Sequence, residues 1–522
     1  MKNNGSAVLA DFLCLKRYVQ LYVPLAVGCI ILAIFAGCAT APPQPITIKH
    51  GKTPSMSQTT IPKQKELIEP ADESIAALVA LLKEKNLISQ EESASIIQKS
   101  EAQATKEKKQ VKDAVKKEIR DEVPKEIEKV AAPEWTKRIK FRGDIRLRYE
   151  KDLYDKNNAD FAKPEKPNEL MNTKVDQDRF KYRIRFGADV NVTDKLDAVI
   201  LLSTGNINTP VSTNTILGDY LNKDNIVIDQ AYLKWRPWDF VSITGGRIPN
   251  PWFSASTLVW DDDLNFEGFA LQVRVPIMAS LMPFFTVGAF PLDSYEFSKH
   301  DKWLTGAQLG IERECQKGFS AKIGASYYSF SNITGELNDP LSPGDTDWTA
   351  PQYQQKGNTL FNISADPAVV KTALAAEFQE VALSGKIDVG FWDPYHIVLF
   401  GDYVKNLAFD KSDVAERTGN PDQPEDTVGY QLGLSIGHPK MDRFGAWRTY
   451  LQYKHIEADA VVDAFTDSDF HLGGTNAKGW VLGAEFGLWK NVWFVLKWLT
   501  ADEISGPPLS IDVLFMDINA RF

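Results

Sequence analysis

The sequence predicts an all-β transmembrane barrel of about 16 antiparallel strands, preceded by a short helical N-terminal segment. Three observations predict it. From Arg138 onward apolar and polar residues alternate with period two over stretches of ~10 residues, the dyad pattern of a strand with one face in lipid and one in water. The connections between those stretches are alternately short and long. The two parts of the chain also differ in material, since all 13 tryptophans lie at Trp135 or beyond.

Composition bounds the alternatives. Of 522 residues, 43% are hydrophobic and 25% charged, which fits neither a disordered chain nor a bundle of apolar helices. A formal net charge of −10 leaves no basic surplus to neutralise phosphates, so no nucleic-acid partner is expected. Four cysteines, at positions 14, 29, 38 and 315, build neither a disulfide framework nor a zinc site. The histidines, at 50, 300, 396, 438, 455 and 471, lack paired ligand spacing, so no cofactor or metal is expected.

Residues 1–41 read as a signal peptide: Lys16-Arg17, an apolar run from Tyr18 to Phe35, then small residues. Two processing readings stay open. Phe35-Ala36-Gly37-Cys38 resembles a lipoprotein box and would leave Cys38 lipidated; Ala39-Thr40-Ala41 fits an ordinary A-x-A site and would remove it. Residues 42–70, rich in Pro, Gln, Thr and Lys, read as a linker. A helical periplasmic segment is expected over 71–132. Asp72-Glu73-Ser74 starts a helix bearing Ile75, Leu78, Leu81 and Leu82, and Ser89 with Glu92 forms a capping box for a second one. Val111, Val115, Ile119, Val123, Ile127 and Val130 continue as a stripe, drifted from a coiled-coil repeat and interrupted by Pro124. It reads as a solvated spacer, with self-association or docking to a periplasmic partner as the other reading.

The barrel is expected over 137–522. In the first strand Ile139, Phe141, Ile145, Leu147 and Tyr149 oppose Lys140, Arg142, Asp144, Arg146, Arg148 and Glu150. In the second, Phe180, Tyr182, Ile184 and Phe186 oppose Arg179, Lys181, Arg183 and Arg185. Sixteen such stretches occur: 138–150, 179–193, 195–205, 225–236, 239–247, 267–275, 279–290, 302–313, 318–329, 380–390, 395–406, 427–438, 445–457, 477–489, 492–501 and 511–522. Connections are tight after even-numbered strands and long after odd-numbered ones, as a membrane barrel requires and a β-sandwich does not. Aromatics cluster at strand ends, as in Trp235-Arg236-Pro237-Trp238 and Trp489-Lys490-Asn491-Val492-Trp493, where interfacial girdles belong. The alternation runs through Leu514, Met516, Ile518 and Ala520 to Phe522, read as the closing strand and assembly signal.

Phe141-Arg142-Gly143-Asp144-Ile145-Arg146-Leu147-Arg148-Tyr149-Glu150, Gly246-Arg247-Ile248-Pro249-Asn250-Pro251-Trp252, Leu258-Val259-Trp260-Asp261-Asp262-Asp263-Leu264 and Thr466-Asp467-Ser468-Asp469-Phe470-His471 resemble the "putative porin" family of Gram-negative outer-membrane β-barrels. The resemblance covers about residues 73–522. It implies passive diffusion of ions and small hydrophilic solutes across the outer membrane, with outer-membrane lipid and the barrel assembly machinery as partners. A homotrimer is common among sixteen-stranded porins, though no residue specifies one here.

Sixteen strands spaced ~4.8 Å apart and tilted ~40° close into a cylinder roughly 32 Å across, too wide for side chains to fill. A wet lumen lined by Arg142, Arg146, Arg148, Lys181, Arg183 and Arg185 is expected. The third long loop, about 248–266, starts apolar and ends in Asp261, Asp262 and Asp263; it is the expected constriction, its acids facing the arginines across the opening. The arginine excess implies a modest anion preference. The longest loop, about 330–378, has a helical-looking stretch from Pro367 to Phe378 and is a candidate lid. No Ser-His pair is placed at a strand end as a nucleophile and its base would need, so no enzyme is expected. The alternative is a structural or tethering barrel lipoprotein without significant transport.

Overall fold

The computed structural model describes residues 71–522, apart from 86, 122–133, 164–165, 279, 296–299, 316–317 and 367. The signal peptide, Cys38 and the linker at 42–70 lie outside the described residues. The chain divides into two units, one ending at Lys137 and one running from Arg138 to Phe522.

The first unit contributes two helices, α1 (Ala71–Glu84) and α2 (Gln90–Asp121). Their junction has a local cause. Ser89 Oγ accepts the Glu92 N–H at 3.2 Å while the Ser89 N–H donates to Glu92 Oε2 at 2.9 Å, so the cap satisfies two donors that the first turn leaves without partners.

The second unit is a closed barrel of 16 long antiparallel strands: β1 Ile139–Tyr154, β2 Gln177–Thr193, β3 Leu196–Thr204, β4 Ile226–Trp238, β5 Val241–Pro249, β6 Asn265–Arg274, β7 Leu281–Asp293, β8 Lys302–Cys315, β9 Phe319–Ser331, β10 Gln379–Trp392, β11 Tyr395–Asn406, β12 Val428–Gly437, β13 Trp447–Ile456, β14 Ala477–Trp489, β15 Val492–Glu503 and β16 Ser510–Arg521. A two-residue strand, Thr215–Ile216, adds to β2 from the following long loop. Each strand pairs with its sequence neighbour, and β1 pairs with β16 from Asp144↔Arg521 to Tyr154↔Ile511. Phe522 continues that ladder: its N–H donates to Gly143 O and the Gly143 N–H to Phe522 O, both at 3.0 Å. A Cβ at Gly143 would stand 2.6 Å from the Phe522 ring, so a glycine is needed there. Closure leaves the barrel without an unpaired strand edge, which is why strands can span lipid at all.

The outer face is apolar. Phe141, Leu147, Phe180, Phe186, Phe269 and Leu309 are all exposed on the wall, with Trp235, Trp238, Trp392 and Trp489 toward the short turns. Trp493 is a correction to the expected girdle. It shares the parity of Lys497, whose ammonium reaches a lumenal carboxylate, and so it points inward.

The inner face is less uniformly polar than alternation alone suggests. Phe266, Phe290, Tyr328 and Phe330, from β6, β7 and β9, form a buried apolar core with Trp252, Leu258, Val259 and Trp260 of the loop 250–264. That core extends through the long-loop half of the barrel into Phe361, Ile363, Phe378, Val461, Val462 and Phe470. The stretch expected to be helical before Phe378 is not. Residues Thr372–Leu374 instead pair antiparallel with Leu360–Asn362, and Asn362 Oδ1 accepts the Lys371 N–H at 2.9 Å. Cross-strand pairing and the β-branched Val369, Val370 and Thr372 outweigh the helix propensity of its alanines.

Candidate functional site

The loop between β5 and β6 begins in the apolar segment Trp252-Phe253, and the aromatic wall explains where it goes. Trp252 packs edge-on to Tyr328 at 5.3 Å and Trp260 to Tyr328 at 5.0 Å and Phe266 at 5.1 Å. Burying two indoles draws the loop off the rim and into the barrel, each ring contributing several kcal/mol at ~25 cal/mol per Å² removed from water.

Polar anchors then fix its path. On β8, Gln308 accepts the Phe253 N–H and donates to Phe253 O, both at 2.8 Å, matching the backbone as another strand would. On β11, Asp402 accepts the N–H groups of Ala255, at 3.2 Å, and Ser256. Lys454 of β13, almost fully buried, reaches Thr257 O at 3.4 Å and Asp467 at 3.1 Å. The loop is thus held at β8, close to where it rejoins the wall, and at β11 and β13, much further round the barrel.

The three acidic residues at its end have three different fates. Asp261 is buried, accepting the N–H groups of Asp263 and Ser468 at 2.8 Å each. Burial, with Asp467 and Asp263 nearby, pushes its carboxyl well above the ordinary range. Asp262 is exposed on the lumen and makes no ion pair among the described residues. Asp263 lies against the arginines, 3.4 Å from Arg183 and 3.5 Å from Arg185, both of which also pair with Asp144 at 2.8 and 2.9 Å. The opposed rows expected from the sequence are therefore partly closed into contact.

The remaining basic residues also divide. Arg148 is buried between Asp517 (2.8 Å) and Asp469 (3.1 Å), with its guanidinium 4.1 Å from the Phe515 ring centre. Arg146 lines the cavity. Arg142, paired with Asp189 at 3.1 Å, and Lys181, paired with Glu150 at 2.6 Å, sit on the wall outside it.

A second loop, 457–476, also turns inward. Sequence reasoning placed its Asp467-Ser468-Asp469 run only as part of a family resemblance. Asp469 accepts from Lys497 at 3.0 Å as well as from Arg148. Desolvation opposes its charge, but those two cations, with Arg146 nearby, outweigh it and hold the carboxyl well below the usual range. The longest loop packs on this one. Asn358 Nδ2 donates to Ala458 O and Val461 O at 2.7 and 2.8 Å, and Gln355 Nε2 to Asp463 O and Thr466 O at 2.8 and 2.9 Å. The sequence signal for these contacts is weak, because a polar loop run reads the same whether solvated or docked.

What remains between loops and wall is a cavity of about 1220 Å³, lined by nine basic and nine acidic side chains. It reaches residues of the short-turn end, among them Lys440, Asp442 and Asn491. The arginine excess on β1 and β2 is offset by acids from the two inward loops and the opposite wall.

A closed sixteen-stranded barrel with an apolar exterior and a charged, open interior defines the class: a membrane-spanning channel. The sequence model of the "putative porin" family matches residues 63–522, and the chain belongs to that family. It is an outer-membrane channel. No curated protein matches the chain. Among solved structures, it is similar to OprB of Pseudomonas putida at high pH (12% identity, 74% of this chain and 95% of that one, TM-score 0.44). Others are the outer-membrane channel DcaP of Acinetobacter baumannii (10%, 74% and 97%, 0.39) and OmpF of Salmonella typhi in complex with daunomycin (12%, 74% and 97%, 0.40).

Proposed function

We propose that this channel is a narrow, weakly charge-selective diffusion pore for ions and small hydrophilic solutes, constricted jointly by loops 250–264 and 457–476. One observation carries the reading: the loop 250–264 is hydrogen-bonded to the barrel wall at two separate places, Gln308 of β8 and Asp402 of β11, so the open cross-section is set by fixed side chains. Equal numbers of lumenal acids and bases favour weak selectivity over the anion preference that the first two strands alone suggest. In this reading Asp262 and Asp263, with Arg146, Arg148, Arg183 and Arg185, form the charged ring, while Arg142 and Lys181 stiffen the wall. Phe522 acts as the assembly signal, α1 and α2 lie in the periplasm, and the barrels assemble as homotrimers. Single-channel recording in a planar bilayer tests the reading. Small, steady conductance steps with a reversal potential near zero in a salt gradient are expected. A folded barrel that gives no steps favours a structural role instead.

A further inference from the structure

Of the six arginines that line the cavity from the strand walls, four are neutralised: Arg148, Arg183, Arg185 and Arg448 each reach a carboxylate within 3.1 Å, while Arg521 stands at the end of β16. Arg146 reaches none. Its Nη2 donates to Asn214 Oδ1 at 2.7 Å, and its Nε, shielded from solvent, has no acceptor among the described residues. It stands directly opposite Arg183 in the β1–β2 ladder, so one of its two cross-strand neighbours is another cation. A guanidinium with no carboxylate in contact and an inner nitrogen without an acceptor keeps donors in hand for an incoming anion.

The register says what else the anion would meet. Arg146 pairs with Asn519 of β16, and Asn519 pairs with Trp493 of β15. Arg146 and Trp493 therefore occupy one transverse row, two strands apart, with Cα atoms about 10 Å from each other. Both point into the same cavity, and Val495, Val398 and Phe400 line it too. Arg521 lies over the Trp493 ring, 5.5 Å from its centre, and adds a second cation at that level. A neutral sugar would leave the guanidinium without a contacting anion, and a bare inorganic anion would make no use of the indole.

We propose that the lumen contains a binding site for carboxylates with a compact apolar body, aryl monocarboxylates above all, in which Arg146 takes the carboxylate and Trp493 the ring. This rests on the channel reading and names a solute class for it. The guanidinium fork suits a carboxylate bidentately, and the indole face adds contact that a short alkyl acid cannot fill.

The test uses the full chain in planar bilayers, with KCl current as the readout and sodium benzoate, sodium acetate and benzyl alcohol as probes. Benzoate should block at a concentration at least about tenfold below acetate, and benzyl alcohol should not block in that range. Arg146→Gln should raise the benzoate half-block about tenfold. Trp493→Ala should raise it several-fold while leaving acetate unmoved. Arg146→Lys, which keeps charge but loses the fork, should fall between wild type and Arg146→Gln, and it carries the arginine test if Arg146→Gln yields no channels. Benzoate no better than acetate in the wild type, or unchanged in Trp493→Ala and in the arginine variant that folds, overturns the site. Absence of KCl current from the folded wild-type barrel overturns the channel reading instead.

Discussion

Asp262→Asn removes a carboxylate that is exposed on the lumen, pairs with no cation among the described residues and lends no hydrogen bond to the loop's anchoring. Its neighbours differ, because Asp261 holds the Ser468 backbone and Asp263 holds Arg183 and Arg185. The single substitution therefore changes charge without releasing the loop, leaving nine lumenal bases against eight acids. For an ion passing ~8 Å away in water, one charge is worth ~0.5 kcal/mol, roughly halved by screening at 0.1 M salt. Anions gain that amount and cations lose it, so the anion-to-cation permeability ratio should rise about twofold, a shift of ~15 mV in a tenfold salt gradient. The assay is the reversal potential of many-channel membranes, with Asp262→Glu as the control that should behave as wild type. A shift of under a few millivolts, or one toward cations, would refute the reasoning, since a charge at the constriction must be felt by the ions that pass it.

Asp402→Ala strips the acceptor from the Ala255 and Ser256 N–H groups, costing about 1–3 kcal/mol for each donor left unmet. Loop 250–264 should loosen, with noisier and larger single-channel currents; a quiet, wild-type trace would show that Gln308 and the indoles suffice. Gly143→Val places side-chain atoms against the Phe522 ring, where β1 meets β16, and against the Arg185 carbonyl of β2. The fraction of heat-resistant barrel on a gel should fall, and a wild-type fraction would count against a tight seam. Burial pushes the Asp459 carboxyl up to about 6 and that of Asp463 up to about 7. Both raised values favour the protonated form in the docked loop. Docking of 457–476 is therefore fullest below about pH 4 and weakens as pH rises through 6 to 7, by on the order of 3 kcal/mol per group. Nicking of that loop by a protease should be faster at pH 8 than at pH 5, and Asp463→Asn should flatten the difference; equal rates in the wild type would contradict it.

Much of the barrel was legible because its rule is local. A strand between lipid and water must alternate, so Arg146, Arg148, Arg183 and Arg185 could be assigned to the lumen from parity alone. The inward course of loop 250–264 was legible from its apolar start, since Trp252 and Trp260 have reason to leave solvent. Less legible was Trp493, whose position beside a turn resembles a girdle residue; only its parity with Lys497 reveals the inward face. The segment before Phe378 misled for a related reason. Helix propensity is a weak local preference, and the partner strand that overrides it, Leu360–Asn362, lies ten residues away.

The sequence by itself determined the strand number, the parity of short and long connections and the facing of most wall residues, because all three follow from periodicity along one chain. Tertiary structure alone decided which charges stay free. Asp263 pairs with Arg183, Asp469 with Arg148, and Arg146 with no carboxylate, although the three arginines look alike in the sequence, as do the two aspartates. Ion pairing depends on distances of about 3 Å between residues up to hundreds of positions apart. Those distances are fixed only when the ladder closes and the loops fold into the lumen.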